Sequence, residues 1–292
     1  MNYFDQILQC LPNHIRWQLQ GLDEQTKSEI EEIRIYCGKV VQVIGRRKKF
    51  SLTGIMTAVE LNTILNQLMQ YSYYAYEEDL AKGFITIEGG HRVGICGKAV
   101  MENGKPTLLR EISSLNIRCA KEILGCSENI MRYIIDEKGK LNNLLIVSPP
   151  GCGKTTILRD IARNLSQRGI KISICDERSE IAGMAGGCSS YHFGPMVDVL
   201  DGCPKEIGMM MLVRSMSPQV IVVDEIGKAE DLEAIKTCIH CGVNLITTIH
   251  GCDMEDLKKS DIYPAIEKKA FQYIVFLTDQ PQAGTIKEII HA

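Results

Sequence analysis

LLIVSPPGCGKTT, residues 144–156, carries an apolar run into a Pro/Gly-rich turn, then Lys154, two hydroxyl residues and an amphipathic stretch. That strand–loop–helix order is the one a phosphate-binding loop requires. Gly151 and Gly153 let successive backbone N–H groups point inward around phosphate oxygens, where a Cβ would intrude. A helix opening at Lys154 adds partial positive charge of roughly +0.5 at its N-terminus. Ser148, Pro149, Pro150 and Cys152 complete the expected loop. Lys154 is placed to reach the β- and γ-phosphates of ATP, Thr155 to ligate Mg²⁺ and Thr156 to bond on the α-phosphate side. Ser148 stands where the motif's first glycine normally sits, at a turn that tolerates a small residue.

The chain around this loop has 292 residues, 45% of them hydrophobic and 24% charged, with a net charge of −3. It is long enough for two domains, each with a core. The charge balance argues against a protein that coats nucleic acid. The basic run Arg46-Arg47-Lys48-Lys49 reads as a solvated hairpin or loop. No apolar segment approaches the ~20 residues that cross a bilayer, and MNYFDQILQC has no signal-peptide pattern. The 12 cysteines are scattered, as expected of reduced thiols in a cytoplasmic protein. Cys238, Cys241, His250 and Cys252 have metal-ligand types. However, Cys238 and Cys241 fall on an amphipathic helix running from Ala229 to Gly242, where cysteine packs as a small hydrophobe. Cys152 lies in the positive loop and is a candidate for oxidative inactivation.

The N-terminal half mixes helices and hairpins. Residues 3–30 show two helical stripes broken at Pro12-Asn13. EEIRIYCGKVVQVIG predicts a hairpin with Ile33, Ile35 and Cys37 on one face and a turn at Gly38-Lys39. Ala58 to Tyr71 predicts a helix. FITIEGGHRVGICGKAV predicts a second hairpin turning at Gly89-Gly90, and Leu115 to Cys119 a further strand. From Leu141 onward, short unbroken apolar runs (LLIV, ISIC, VIVV, NLITTI, YIVFL) alternate with helical segments. Such strands are buried on both faces, as in a parallel sheet covered by helices.

Ligands of parallel sheets lie beyond the carboxyl ends of the strands, so residues ending these runs are site candidates. VIVVDEIG ends in Asp224, suited to Mg²⁺, and Glu225, suited to polarising an attacking water. ISIC runs into Asp176-Glu177-Arg178-Ser179-Glu180, where Glu177 is a second candidate for positioning water and Arg178 for stabilising charge at the γ-phosphate. NLITTI ends at His250, which can bond the γ-phosphate or the carboxylates and so sense hydrolysis.

Together these segments resemble the type II/type IV secretion ATPases, a RecA-like family. SPPGCGKTT is similar to its Walker A, VIVVDEIG to its Walker B, DERSE to its Asp box and TTIHG to its His box. SSLNIRCA resembles the strand whose arginine, here Arg118, reaches the nucleotide from the neighbouring domain. DERSEIAG, GGHRVGICGKAV and SLNIR look most like the family's branch from endospore formers. The resemblance implies an α/β fold: a RecA-like P-loop NTPase core over residues 129–292 with a mainly parallel sheet, preceded by a smaller α+β domain over 1–128. It further implies a homohexameric ring binding ATP and Mg²⁺ between the two domains, with Arg118, and Arg92 or Arg110, contributing to the phosphates. Membrane components of a secretion or sporulation channel are the implied partners, met on the mother-cell side by a peripheral protein without a membrane-spanning segment of its own. Two rival readings are a RecA-like motor on nucleic acid and an ATP-gated scaffold.

Overall fold

The computed structural model describes residues 3–292 except Arg47, Glu88, Gly89, Asn103, Lys121, Glu122 and Gly186. The expected turn at Gly89 and the middle of the basic run at Arg47 therefore lie outside the described residues. The chain divides into two compact units, residues 1–121 with 183–191 and residues 122–182 with 192–292.

In the first unit, helices α1 (Tyr3–Cys10), α2 (Asn13–Gln20) and α3 (Glu24–Glu29) lead into strands β1 (Ile30–Tyr36), β2 (Val40–Gly45) and β3 (Lys49–Ile55). Helices α4 (Ala58–Leu68) and α5 (Glu77–Ala81) precede β4 (Phe84–Ile87), β5 (His91–Glu102) and β6 (Lys105–Arg118). The six strands form one sheet in the order β3-β2-β1-β6-β5-β4, antiparallel at every pairing. Ile33, Ile35, Val41 and Val43 are fully buried and share a core with Leu61, Ile64 and Leu65 of α4. Thr57 opens α4 through a reciprocal capping box with Glu60, which satisfies two otherwise orphaned N–H groups.

Three expectations need correction here. Cys37 is exposed in the turn rather than aligned with Ile35. Helix α4 stops at Leu68, with Gln70 and Tyr71 in the left-handed region at φ 49° and 60°. Strand β6 begins at Lys105, well before Leu115, because β5 and β6 extend together as a hairpin whose outer residues are largely exposed.

The second unit begins with α6 (Glu128–Ile134), β7 (Leu144–Ser148), α7 (Lys154–Gln167) and β8 (Ile172–Asp176). The short strands β9 (Met184–Ala185) and β10 (Cys188–Ser189) then pair with each other within the first unit. The second unit resumes with β11 (Val197–Asp201), α8 (Lys205–Met216), β12 (Val220–Val223), α9 (Ala229–His240) and β13 (Asn244–His250). It closes with α10 (Met254–Lys258), α11 (Tyr263–Glu267), β14 (Tyr273–Thr278) and β15 (Thr285–His291).

Its sheet runs β11-β8-β12-β13-β7-β14-β15; all pairs are parallel except β14–β15. All five apolar runs are strands. Leu145, Val147, Ile221 and Val223 pack toward one core with α8 and α9, and Leu144, Ile146, Val220 and Val222 toward another with α6 and α7. Alternation therefore buries both faces, which is why these strands read as continuous apolar runs. The edge strands β11 and β15 were not anticipated: VDVLD and TIKEIIH intersperse polar residues, as edges do.

Candidate functional site

Strand β7 ends at Ser148, and the chain then turns through Pro149 to Gly153 into α7. Gly151 and Gly153 have φ of 79° and 83°, a left-handed backbone that a side chain disfavours. Gly284, just before β15, donates its N–H to the Cys152 carbonyl oxygen at 3.0 Å and holds the loop from outside. Lys154, only 8% exposed, folds back into the loop. Its Nζ donates to the Ser148 and Pro149 carbonyl oxygens at 2.7 and 3.0 Å and lies 3.1 Å from His250 Nδ1. Burial lowers the lysine's pKa, opposed by the charges of Asp224, Cys152 and Glu225. The cation thus occupies the mouth of a loop whose N–H groups favour anions.

The ends of β13, β12 and β8, which follow β7 in the sheet, supply the remaining groups together with Thr155 of α7. His250 is paired in register with Ser148, and Val223 lies beside both Thr247 and Cys175. Thr155 Oγ1 donates to Asp224 Oδ2 at 2.7 Å, and the other Asp224 oxygen accepts from Thr248 Oγ1. Thr248 Oγ1 in turn accepts from the Glu225 backbone N–H at 2.8 Å. Glu225 sits at φ 52°, a left-handed conformation that costs a non-glycine residue roughly 1–3 kcal/mol and persists only where the surroundings impose it. Its carboxylate meets Arg178 Nη1 at 2.7 Å and His250 Nε2 at 3.2 Å. With the Lys154 ammonium as donor to Nδ1, the His250 ring carries its proton on Nε2, facing Glu225.

At the end of β8, Asp176 is buried and accepts from the N–H groups of Glu180, Ile181 and Ala182 at 2.8–3.0 Å. Burial outweighs those bonds and pushes its pKa up to about 6. The turn it organises presents Arg178 to Glu225, while Glu177 pairs with Lys205 Nζ at 3.0 Å. The structure thus brings together Lys154, Thr155, Asp224, Glu225, Arg178 and His250, with Glu177 joined to them through Lys205. Thr156 follows in the first turn of α7.

Sequence reading missed Thr248 and Lys205. Two-residue periodicity could have found Thr248, since it shares a strand face with His250. No comparable signal marks Lys205. A third unforeseen group anchors α7: buried Asp160 accepts from Gly125 N, Ser127 N, Ser127 Oγ and Arg163 Nη2 at 2.7–3.1 Å.

Arg118, Arg92 and Arg110 belong to the first unit. Arg92 and Arg118 are direct cross-strand neighbours, an arrangement of like charges that is unfavourable without a counter-charge. Together with Arg34 they line a cavity of about 520 Å³. Arg118 Nε lies 3.5 Å from Glu32, and Arg92 stacks 3.8 Å over the Phe84 ring. Arg110 is exposed and pairs in register with Lys98, away from the cavity.

Thr155 Oγ1 and Asp224 are hard oxygen donors, the set that suits Mg²⁺ completed by phosphates and water. Among the described residues no three His, Cys, Asp or Glu side chains form a metal-binding group. Cys238 is fully buried whereas Cys241 and Cys252 are exposed. Cys152 is 4% exposed, its sulphur turned toward the Pro150 carbonyl. The expectation of a readily oxidised thiol there is overturned by burial. No helix of the described residues is long and apolar enough to cross a membrane.

Comparison with known proteins agrees with this architecture. The chain is 42% identical to stage III sporulation protein AA of Bacillus subtilis (strain 168) over 98% of its own length and 94% of that protein's. Among solved structures it is similar to the ATPase DotB of Yersinia pseudotuberculosis, with a TM-score of 0.58 and 16% identity over 92% of this chain and 76% of that one. The pilus retraction motor PilT, solved with bound ADP, gives a TM-score of 0.58 and 15% identity over 88% and 77%. At such identities the likeness is one of fold: an α/β architecture shared with DotB and PilT. The family model described as sporulation stage III, protein AA matches residues 1–292, and the chain belongs to that family.

Proposed function

We propose that the chain is a Mg²⁺-dependent ATP hydrolase of the secretion-motor type, converting hydrolysis into domain motions that assemble or power a membrane channel in sporulation. One observation carries the reading. A loop cation, a hydroxyl–carboxylate pair and a carboxylate held by histidine and arginine converge on adjacent ends of parallel strands. In this reading Lys154 leaves the Ser148 and Pro149 carbonyls for the β- and γ-phosphates, and the α7 N-terminus takes the remaining charge. Thr155 and Asp224 would hold Mg²⁺, which would supply positive charge against that developing on the phosphates. Glu225, freed from Arg178, accepts hydrogen bonding from the attacking water. Arg178 then turns its charge to the γ-phosphate, and His250 links the loop lysine to Glu225. Glu177 is the second water-positioning carboxylate.

Residues 129–292 form the ATPase domain in this assignment, and residues 1–128 supply Arg118 and Arg92 to phosphates in a homohexameric ring. The cavity that Arg34, Arg92 and Arg118 line together supports that role. Membrane channel components are the proposed partners, met at the inner membrane face on the mother-cell side. The ion pairs that neutralise Glu225 favour a second reading, an ATP-gated scaffold with slow turnover.

ATP hydrolysis with Mg²⁺ and with excess EDTA, alongside Glu225→Gln, tests the proposal. Metal-dependent turnover that stops in Glu225→Gln while ATP binding persists supports the motor. Binding and assembly without appreciable turnover favour the scaffold, and strong stimulation by single-stranded DNA or RNA favours a nucleic-acid motor. Absence of purine nucleotide binding defeats all three.

A further inference from the structure

Lys205 is costly where it stands. It opens α8 directly after Pro204, and a cation in the first turn opposes the helix dipole. Its side chain is 7% exposed, although ammonium groups are rarely buried without a compensating partner. Gly208 draws this helix against β8, since a Cβ there would strike the Cys175 sulphur. Two contacts compensate Lys205: its Nζ donates to the Glu225 carbonyl oxygen at 2.8 Å and pairs with Glu177 Oε2 at 3.0 Å.

These contacts fall on the two carboxylate residues assigned to water. Glu225 is left-handed, and its flanking peptides are gripped from opposite sides, the N–H by Thr248 and the carbonyl by Lys205. The ammonium that grips the carbonyl also orients Glu177. We infer that Lys205 is a positioning residue for hydrolysis: it keeps Glu225 in its left-handed conformation and sets Glu177 at a constant distance from it. The inference rests on the ATP hydrolase reading. It gives Lys205 no contact with ATP and no proton to transfer.

The test is Lys205→Met, close in length and without charge, checked for folding by thermal melting. Positioning predicts a kcat lower by roughly 10- to 100-fold, the scale of a misplaced reacting group. KM for ATP and affinity for a non-hydrolysable analogue stay near wild type. Adding Glu177→Gln should then cost little more, since coupled residues are not additive. A crystal structure of Lys205→Met should show Glu225 out of the left-handed region. If the Met variant does not fold, Lys205→Gln, which retains a donor for the carbonyl but not the ion pair, should lower kcat with unchanged KM.

Unchanged kcat, or analogue affinity falling in step with kcat, overturns the inference, as does a Glu225 backbone unmoved in Lys205→Met. Wild-type protein that neither binds nor hydrolyses ATP would instead defeat the hydrolase reading. The backbone conformation of Glu225 in the variant crystal would still decide whether Lys205 holds it.

Discussion

Thr248→Val is the sharpest probe of the strand-end network, because it removes one hydroxyl and keeps the side chain's shape. Thr248 is fully buried, and its Oγ1 both donates to Asp224 and accepts from Glu225 N. A hydrogen bond to a charged acceptor is worth about 1.5–3 kcal/mol. An orphaned N–H costs about 1–3 kcal/mol, and the lower end applies here because Glu225 is partly exposed. The extra buried methyl of valine returns about 0.8 kcal/mol. The balance is a loss of about 2–3 kcal/mol, or roughly 5–10 °C in melting temperature for a domain of this size. Release of Glu225 N should also let that residue relax from its left-handed conformation, so hydrolysis falls further than stability explains. Urea unfolding of both proteins, paired with ATP turnover well below the variant's melting point, measures the two effects. A stability change under 0.5 kcal/mol together with wild-type turnover would refute the claim that Thr248 braces Asp224 and Glu225.

Lys154→Ala removes the loop cation and should reduce hydrolysis about 30- to 1000-fold, corresponding to about 2–4 kcal/mol of charge stabilisation; the ratio of kcat/KM values is the measurement. Asp160→Ala should cost about 3 kcal/mol, as expected when a buried charged network loses one partner, and the cost should depend on pH. Burial raises the Asp160 pKa, but bonds from Ser127, Arg163 and Gly125 more than offset it, so the folded value lies below the unfolded 3.8. Its stabilisation is therefore complete above about pH 4 and disappears as pH falls through the folded value. Denaturation curves of both proteins should converge toward acid, and a gap that stayed constant from pH 7 to pH 3 would contradict the assignment. Iodoacetamide should modify exposed Cys37 and Cys96 well before buried Cys152, as peptide mass mapping over a time course would show; early loss of Cys152 would indicate an open loop.

Several elements were legible from residue pattern alone, and the reason is local. A strand buried on both faces must be apolar throughout, and a tight strand-to-helix turn needs glycine where φ is positive. Thus LLIV, ISIC, VIVV, NLITTI and YIVFL declared the central sheet, and Gly151, Gly153 and Lys154 declared its loop. Strand ends of a parallel sheet share one rim, so Asp224, Glu225, Arg178 and His250 could be grouped before any distance was known. Edge strands β11 and β15 escaped because half-solvated strands carry polar residues that dilute the signal. The same dilution hid the outer part of β6, from Lys105 to Ser114.

Other properties exist only once the chain is folded. Which nitrogen of His250 faces Glu225, the left-handed backbone of Glu225 and the burial of Cys152 depend on groups brought together from distant segments. Thr248 and Lys205 are ordinary residues in the linear chain. Thr248 braces two carboxylate residues because β13 lies beside β12, and Lys205 reaches Glu177 and Glu225 because α8 packs closely on β8. Periodicity encodes which face of an element is dry, but only tertiary packing decides which polar group must find which partner once water is excluded.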